Sequence, residues 1–477
     1  QEPPLLYPRT AGLKSTSVCT MIDLSVTQLK LVPCVVFLAI ICVWPTTSAT
    51  LLRADLTHVD SGRGFTKREL LGRMAARSMA RAASLQSSSS GCSSHAVTVP
   101  AARGTTGKLE YNSEYNIFFG IGTPKPQPVV VTLDTGSDLI WTQCVCMSCF
   151  EQPFPVLDPS ASRTFHAMPC SDPLCEHGGL LVSGCNLDPD RKTCLYADSY
   201  GDKSGTFGTM GQDTFTFKAS NGGAMDVAVP NLRFGCGQIN HLTGRANETG
   251  IAGFGRGTLS LPSQLKVGRF SHCLTTIVEG RASPVFLGTP DDLQAHATGP
   301  IKATPFVPNP KSTHYFLSLK GITVGTTRLP FGASVFALKG DGSGGTFIDS
   351  GTAVTSFPED VYQSLRKAFV SQLPLPTEEF DDMLCFDFDT SAKKKMPDVP
   401  KLILHLEGAD WDLPRENYMV DIEDDNSTEG GLCLVLGSSG ESSHKTIIGN
   451  FQQQNMHIVY DLEANKMVFV PARCDKL

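Results

Sequence analysis

Two short stretches of this 477-residue chain place an aspartate in nearly the same setting. VVVTLDTGSDLIW (Val129–Trp141) and GGTFIDSGTAVTSF (Gly344–Phe357) each put Asp-Thr/Ser-Gly-Ser/Thr between two apolar runs, and Asp134 and Asp349 lie 215 residues apart. Burying a lone charge at the end of an apolar strand is costly. The repeat therefore indicates two carboxyl groups that the protein keeps for chemistry.

The residues next to each aspartate are suited to holding its carboxyl group in place. Gly136 and Gly351 permit a tight turn, and hydroxyl and N–H donors come from Thr135, Ser137, Ser350 and Thr352. If the two turns meet, carboxyls about 3 Å apart share one proton and titrate as a unit. The ionised partner then takes a proton from a water molecule while the acid polarises a carbonyl, which is hydrolysis without a covalent intermediate. One such motif is an ordinary β-turn, but two matched copies favour the catalytic interpretation.

The segment that carries these motifs has the pattern of short strands and turns. From Glu110 onward, apolar and polar residues alternate in runs broken by Gly, Pro, Asp and Asn, which predicts an all-β fold. The clearest helix is expected at Val361–Leu373 and a weaker one around Pro262–Val267. Two similar halves, each offering one aspartate, would place both carboxyls at a shared cleft.

DTGSDLIW and IDSGT resemble the two active-site motifs of the pepsin-like aspartic proteases, and the resemblance covers residues 108–477. Ile447-Ile448-Gly449 and Ala252-Gly253-Phe254-Gly255 resemble the elements that support the two catalytic loops. WTQC, FGCG, GRGTLSLPSQL and GNFQQQN, with twelve cysteines, are similar to the nepenthesin-type plant subgroup. The resemblance implies a bilobal, pepsin-like double β-barrel with a central cleft and a few short helices. Its N-terminal lobe would span residues 108–300 and its C-terminal lobe residues 301–477.

The resemblance also implies individual roles. Asp134 and Asp349 would be the catalytic pair, Thr135 and Ser350 would join the lobes, and Ser137 and Thr352 would bond the outer oxygens. Tyr200 and Gly201 would belong to a flap over the substrate, with Trp141 donating a hydrogen bond to Tyr200. Simple core packing is the alternative for Trp141 and Tyr200. Lys203 stands where the subgroup has glycine, which predicts altered subsite preference or flap motion.

The front of the chain predicts entry into the secretory pathway. Leu31–Trp44 is an apolar run of 14 residues after Lys30 and before Thr47-Ser48-Ala49, as in a signal peptide. A membrane anchor is the weaker alternative, because the run is short and contains Pro33. We therefore assign residues 21–49 to a signal peptide and set aside residues 1–20, which precede the first methionine.

An oxidising compartment favours disulfides over a zinc module for the cysteines after residue 107. They are Cys144, Cys146, Cys149, Cys170, Cys175, Cys185, Cys194, Cys236, Cys273, Cys385, Cys433 and Cys474. The pairing is left open by the sequence. Asn247 and Asn426 begin glycosylation sequons, with ordinary turns as the alternative.

Residues 50–107 have the features of a prosegment and linker. Thr66 and Glu69 form a capping box before a helical run in which Arg73, Arg77 and Arg81 recur every four residues. Residues 1–107 carry 11 basic and 5 acidic side chains, whereas the remainder carries 29 basic and 42 acidic ones. The three arginines form a basic stripe along one side of the helix. This basic stripe is either a solvated helix face or a surface that docks on an acidic cleft. The serine-rich run at 86–94 is expected to be a flexible linker.

These observations predict a secreted aspartic endopeptidase that is made as a zymogen and acts at acidic pH. The expected partners are polypeptide substrates and its own prosegment, and no cofactor, metal, nucleic acid or stable membrane anchor is expected. We expect a monomer in the apoplast, with the vacuole as the other location. The alternative function is a binding or inhibitor protein that keeps this scaffold and has lost catalysis.

Overall fold

The computed structural model describes residues 52–87, 115–177, 182–185, 192–200, 204–217, 226–242, 248–277, 281–288, 292–380, 383–389, 397–423, 429–440 and 443–477. The expected signal peptide, most of the linker, Gly201, Lys203, Asn247 and Asn426 lie outside these ranges, so the predictions about them stay predictions. Among the described residues, no helix is both long and apolar enough to cross a membrane.

The first half of the described chain is dominated by strands. Its elements are β1 (Leu52–His58), α1 (Lys67–Ser87), β2 (Tyr115–Ile121), β3 (Gln127–Asp134), β4 (Ile140–Ser148), β5 (His166–Ala167), α2 (Pro173–His177), β6 (Val182–Cys185), β7 (Cys194–Ser199), β8 (Gly205–Phe217), β9 (Val227–His241), β10 (Gly250–Gly253), α3 (Leu261–Leu265), β11 (Arg269–Cys273) and β12 (Ser283–Leu287).

The second half follows the same pattern. Its elements are β13 (Lys302–Val307), β14 (Tyr315–Leu317), β15 (Leu319–Val324), β16 (Thr327–Arg328), α4 (Ala333–Phe336), β17 (Thr346–Ile348), β18 (Ser356–Phe357), α5 (Glu359–Gln372), β19 (Thr377–Phe380), β20 (Met383–Asp389), β21 (Leu402–Leu406), β22 (Ala409–Asp412), β23 (Met419–Glu423), β24 (Glu429–Leu434), β25 (Gly437–Ser438), β26 (Thr446–Ile448), β27 (Met456–Asp461) and β28 (Lys466–Pro471).

The predicted all-β class is confirmed, as are both expected helices, which correspond to α5 and α3. One large sheet runs through both halves, because β11 pairs antiparallel with β27 from Arg269↔Asp461 to Cys273↔His457. Two further sheets of four strands come from the second half, in the orders β16-β15-β21-β22 and β19-β20-β24-β23. The apolar faces of these sheets bury a continuous core.

The two aspartate turns are held by equivalent strand pairings. β10 lies parallel to β3, with Gly253 opposite Asp134, and β26 lies parallel to β17, with Ile448 opposite Ile348. The Phe254 N–H donates to the Asp134 carbonyl at 2.7 Å, and the Asp349 N–H donates to the Ile448 carbonyl at 3.0 Å. Both supporting elements that the sequence indicated therefore lie against the turns.

The segment before residue 88 folds onto the rest of the protein. The Thr66 N–H donates to Glu69 Oε2 at 2.8 Å and the Glu69 N–H donates to Thr66 Oγ1 at 3.2 Å, which confirms the capping box at the start of α1. β1, which the sequence analysis did not predict, pairs antiparallel with both β12 and β2. The apolar side of α1 packs on Ile277 of the first half and on a patch of the second half, whose members are Ala353, Val354, Met383, Cys385, Cys433, Val435 and Phe451.

All twelve cysteines after residue 107 form disulfides, which resolves the pairing that the sequence left open. The pairs are Cys144–Cys236, Cys146–Cys149, Cys170–Cys185, Cys175–Cys194, Cys273–Cys474 and Cys385–Cys433. Four of the six bonds staple the region from β4 to β9. Cys273–Cys474 joins the end of β11 to the C-terminal residues.

His272 in β11 is fully buried beside Tyr460, and neither of its ring nitrogens has a hydrogen-bond partner among the described residues. Burial, with a smaller contribution from His457, lowers the pKa of His272 from 6.5 to about 3. The unfolded chain therefore binds one more proton than the folded chain between these values, and stability falls as the pH falls through this window.

We expect His272→Phe to unfold at higher urea concentration than the wild type. Its advantage in the free energy of unfolding should grow as the pH is lowered from 7 to 4, because phenylalanine takes up no proton. His166→Gln, at an exposed position, is the control. An advantage that stays constant with pH contradicts this account of His272.

Candidate active site

The Asp134 and Asp349 side chains are bonded in the same way by their own turns. The Gly136 N–H donates to Asp134 Oδ1 at 3.0 Å and the Ser137 hydroxyl donates to Oδ2 at 2.6 Å. In the second turn the Gly351 N–H donates to Asp349 Oδ1 at 2.8 Å and the Thr352 hydroxyl donates to Oδ2 at 2.7 Å. Each carboxyl is fully buried, and these donors offset part of its desolvation.

The two turns also bond each other across the halves of the protein. The Thr135 N–H donates to Ser350 Oγ at 3.1 Å, and the Ser350 N–H donates to Thr135 Oγ1 at 2.8 Å. The Ser350 hydroxyl in turn donates a hydrogen bond to the Leu133 carbonyl at 3.0 Å. This reciprocal pattern brings residues 215 positions apart into direct contact.

Gly136 and Gly351, which have no side chains, allow the carboxyl group of each aspartate to lie close to the turn of the other half. A β-carbon added to Gly136 would lie 2.8 Å from Asp349 Oδ1, and one added to Gly351 would lie 2.2 Å from Asp134 Oδ1. Burial raises the pKa of Asp134 above its ordinary value, and the charge of Asp349 adds to this against the opposing effect of Arg81. The pair therefore favours a state in which one of the two carboxyls keeps a proton.

Several residues that fix these turns were not singled out from the sequence. Asn450 Nδ2 donates to the Ser350 carbonyl at 2.9 Å, and Gln453 Nε2 donates to the Ile448 carbonyl at 3.0 Å. Asp138 accepts from the Gly257 N–H at 2.7 Å and from the Thr313 hydroxyl at 2.6 Å. The signals were present, since Asn450 and Gln453 belong to the GNFQQQN run and Asp138 to DTGSD.

The basic stripe of α1 reaches the two aspartates through its last arginine. Arg81 Nη2 donates to Asp134 Oδ1 at 2.7 Å and Arg81 Nε donates to Asp349 Oδ2 at 2.8 Å. One turn earlier in α1, the Ser78 hydroxyl accepts from the Val354 N–H at 2.5 Å. Of the two interpretations of the stripe, docking on an acidic cleft is therefore the one that matches the observed contacts.

The other two arginines of the stripe serve a different carboxylate. Arg73 and Arg77 both donate to Asp60, Arg73 Nε to Oδ1 and Arg77 Nη1 to Oδ2, each at 3.0 Å. Burial would raise the pKa of Asp60, but Arg77 and Arg73 outweigh it and hold that pKa below its ordinary value. Because Asp60 lies in the connection between β1 and α1, it fixes how the helix leaves the sheet.

Tyr200 and Trp141 are in contact, as the resemblance implied. Trp141 Nε1 donates to the Tyr200 hydroxyl at 2.8 Å, and both rings belong to an apolar cluster of the first half. Asp198 is a third member of this group, because its charge adds to the larger effect of burial in raising the pKa of Tyr200. This third member was not predicted, and Gly201 lies outside the described residues.

Family models described as "Xylanase inhibitor N-terminal" and "Xylanase inhibitor C-terminal" match residues 115–289 and 314–471. Aspartic proteinase nepenthesin-1 of Nepenthes gracilis is 39% identical over 427 residues, which cover 88% of this chain and 89% of that protein. Nepenthesin-2 of the same plant is 37% identical over 425 residues, which cover 89% of this chain and 90% of its own length. Aspartyl protease family protein 2 of Arabidopsis thaliana is 37% identical and covers 77% of this chain and 73% of its own length.

Solved structures show the same fold at lower sequence identity. The structure titled edgp superposes with a TM-score of 0.59 at 21% identity and covers 77% of this chain and 93% of its own. Basic 7S globulin from soybean superposes with a TM-score of 0.59 at 19% identity and covers 88% of this chain and 96% of its own. At this identity the likeness concerns the fold alone.

Burial raises the pKa of Asp198 from 3.8 to about 7, with further increases from the charges of Asp134 and Asp138. Folded Asp198 therefore keeps a proton that the unfolded chain loses between about pH 4 and pH 7. Its contribution to stability is present below this window and is lost as the pH rises through it.

Asp198→Asn keeps a hydrogen-bonding group and removes this titration. We expect the melting temperature of the variant, relative to the wild type, to increase as the pH rises from 4 to 8. Asp292→Asn, at an exposed position, is the control. A difference that is the same at pH 4 and pH 8 shows that Asp198 does not titrate there.

Proposed function

This chain belongs to the pepsin-like aspartic proteases of the nepenthesin type and is an aspartic endopeptidase; from this premise we propose that Asp134 and Asp349 are its catalytic pair and that its prosegment keeps it inactive until acid processing. The single observation that supports the proposal most directly is the Arg81 guanidinium, which bonds both buried carboxyls at once. A cation seated there leaves no room for a peptide bond between them.

The bonding of the two carboxyls supports a mechanism by general acid–base catalysis. With one proton on the pair, the ionised carboxylate takes a proton from a water molecule as that water attacks the peptide carbonyl. The other carboxyl gives its proton to the carbonyl oxygen, which forms a tetrahedral intermediate. Collapse of the intermediate breaks the C–N bond, and the amine leaves with the proton that was taken from water. One hydroxyl of the intermediate returns its proton to the second carboxyl, which restores the pair and yields the carboxylic acid product. Ser137 and Thr352 hold the oxygens in place throughout.

The proposed prosegment spans residues 50–107 and acts as an intramolecular inhibitor through α1. Its apolar residues Leu71 and Met74 are buried against the second half, and Arg81 closes the site by charge. Acid weakens the contact because Asp134 and Asp349 must be ionised to bind a guanidinium fully. We propose that the low-pH form then loses the prosegment and binds extended polypeptides in the cleft.

The remaining parts of the proposal concern location and assembly. The apolar run at 31–44 supports entry into the secretory pathway, with the apoplast as the destination favoured over the vacuole and a monomer as the working form. The six disulfides support an oxidising compartment. Asn247 and Asn426 are the proposed glycosylation sites. A non-catalytic binding protein on this scaffold is less well supported, since both turns retain an aspartate with all of its donors.

Asp134→Asn and Asp349→Asn each test the catalytic pair. Asparagine keeps the size of the side chain but can neither take a proton from water nor share one, so we expect peptide hydrolysis at acidic pH to fall by at least about 10³-fold. The measurement is cleavage of a fluorogenic peptide by acid-treated precursor, with and without pepstatin. Asp292→Asn should retain wild-type activity, and substantial activity in either dyad variant would refute the assignment.

Arg81→Met tests the inhibitory contact. The variant precursor should cleave peptides at a pH at which the wild-type precursor is latent, and it should be processed about tenfold faster or more on acidification, since losing 1.4 kcal/mol changes an equilibrium tenfold. Asp60→Asn should act in the same direction, because it frees Arg73 and Arg77 and loosens α1. The matched control is Lys67→Met, at an exposed position in the first turn of the same helix. Latency equal to wild type in Arg81→Met contradicts the proposed role.

A further inference from the structure

A pocket of about 800 Å³ adjoins the turn that carries Asp134, since Asp138 belongs to its lining. One wall is formed by Asp138 and residues 256–258 of the first half, and the other by residues 308–314, which connect β13 to β14. The mechanism proposed above makes no use of this pocket. Because Asp138 lies four residues after Asp134, the pocket is close in the chain to one of the two proposed catalytic carboxyls.

His314 connects this pocket to the catalytic centre. β14 pairs antiparallel with β17, with Tyr315 opposite Ile348. Because His314 immediately precedes Tyr315 and Asp349 immediately follows Ile348, continuing this register places the His314 backbone beside Asp349. The imidazole ring lies 4.7 Å from the Phe347 ring.

The hydrogen-bonding capacity of His314 is only half used. Its Nδ1 shares a hydrogen bond of 2.5 Å with the Ser312 hydroxyl. Its Nε2 is buried and has no hydrogen-bond partner among the described residues. A buried polar atom without a partner is costly, so Nε2 is available to a group that enters with the substrate.

The other charged groups of the pocket are cationic and are not neutralised within the described residues. Arg256 Nη2 donates to the neutral amide oxygen of Asn465 at 2.7 Å. Lys311 Nζ donates to the main-chain carbonyl of Asp341 at 3.1 Å. The one carboxyl of the lining, Asp138, is bonded by Gly257 and Thr313, and burial raises its pKa above the ordinary value. At acidic pH the pocket is therefore positive on a body that is otherwise acidic.

Burial, together with nearby cations that include Arg81 of the prosegment, favours the neutral form of His314. Burial lowers the pKa of His314 to about 4, and the charges of Arg81 and Lys445 lower it further against the opposing effect of Asp134. Once Arg81 has left, one of these two repulsive cations is gone, and His314 gains a proton at higher pH than in the precursor.

We propose that this pocket is a specificity subsite that takes an acidic side chain of the polypeptide substrate, near the scissile bond. A glutamate or aspartate carboxylate would pair with the protonated His314 ring and with the charges of Lys311 and Arg256. The inference rests on the proposed protease function and adds a substrate preference to it. Electrostatic complementarity of this kind contributes mainly to specificity.

The test compares pairs of peptides that differ only in Glu against Gln, placed in turn at each of three positions on either side of the scissile bond. The enzyme is the acid-processed form of the full-length precursor, assayed near pH 5, where most free glutamate is ionised. At one position the Glu peptide should have a kcat/KM roughly fivefold higher than the Gln peptide, as for a partly exposed ion pair. The ratio should shrink at pH 3, where glutamate is protonated, and in high salt.

Two variants connect the preference to the pocket. His314→Phe keeps an aromatic ring against Phe347, and Lys311→Met changes an exposed side chain; each should reduce the Glu/Gln ratio toward one. Lys401→Met, at an ion pair with Asp412 on another sheet, is the control and should keep the wild-type ratio.

The possible outcomes distinguish failure of the proposed subsite from failure of the proposed protease function. Equal hydrolysis of Glu and Gln peptides at every position, or a preference that survives in both pocket variants, overturns the subsite and leaves the protease intact. Failure of the processed wild-type enzyme to cleave any of the peptides overturns the proposed function and the subsite together.

Discussion

The structure depends on one constraint, which is that two buried carboxyl groups from different halves of the chain must be held side by side. Two like-charged groups repel each other and lose hydration when they are buried, so the protein has to supply the opposing interactions. The reciprocal bonds between Thr135 and Ser350 hold the backbones together. The parallel strands β10 and β26, with Asn450 behind the second turn, support each turn within its own half.

The same constraint explains the form of the proposed inhibitor. A pair of carboxyls that repel each other is stabilised by a cation with two donors in one plane, and a guanidinium has this geometry. Arg77 and Arg81 lie one helical turn apart in α1, so binding Arg77 at Asp60 sets the distance at which Arg81 meets the dyad. Within the basic stripe, Arg73 and Arg77 therefore hold the helix at Asp60, whereas Arg81 occupies the site between Asp134 and Asp349.

Local patterns predicted the parts of the molecule that are determined locally. The two Asp-Thr/Ser-Gly turns, the capping box at Thr66 and helix α5 could be identified from residue types at short spacing. Twelve cysteines indicated disulfides but not their partners, because pairing depends on the fold. The anchor at Asp60 and the insertion of β1 between β2 and β12 depend on tertiary contacts that have no short-range signal.

The opposite pKa shifts of two aspartates imply an order for the release of the prosegment. Asp134 takes up a proton at higher pH than an ordinary aspartate, whereas Asp60 keeps its charge to lower pH. Acidification therefore weakens the Arg81 contact first, while the anchor to Arg73 and Arg77 persists. β1 also remains paired with its two neighbours, and no titratable group carries those backbone bonds. In the proposed activation, loss of the Arg81 contact therefore precedes departure of β1, because β1 can leave only when its backbone hydrogen bonds are broken.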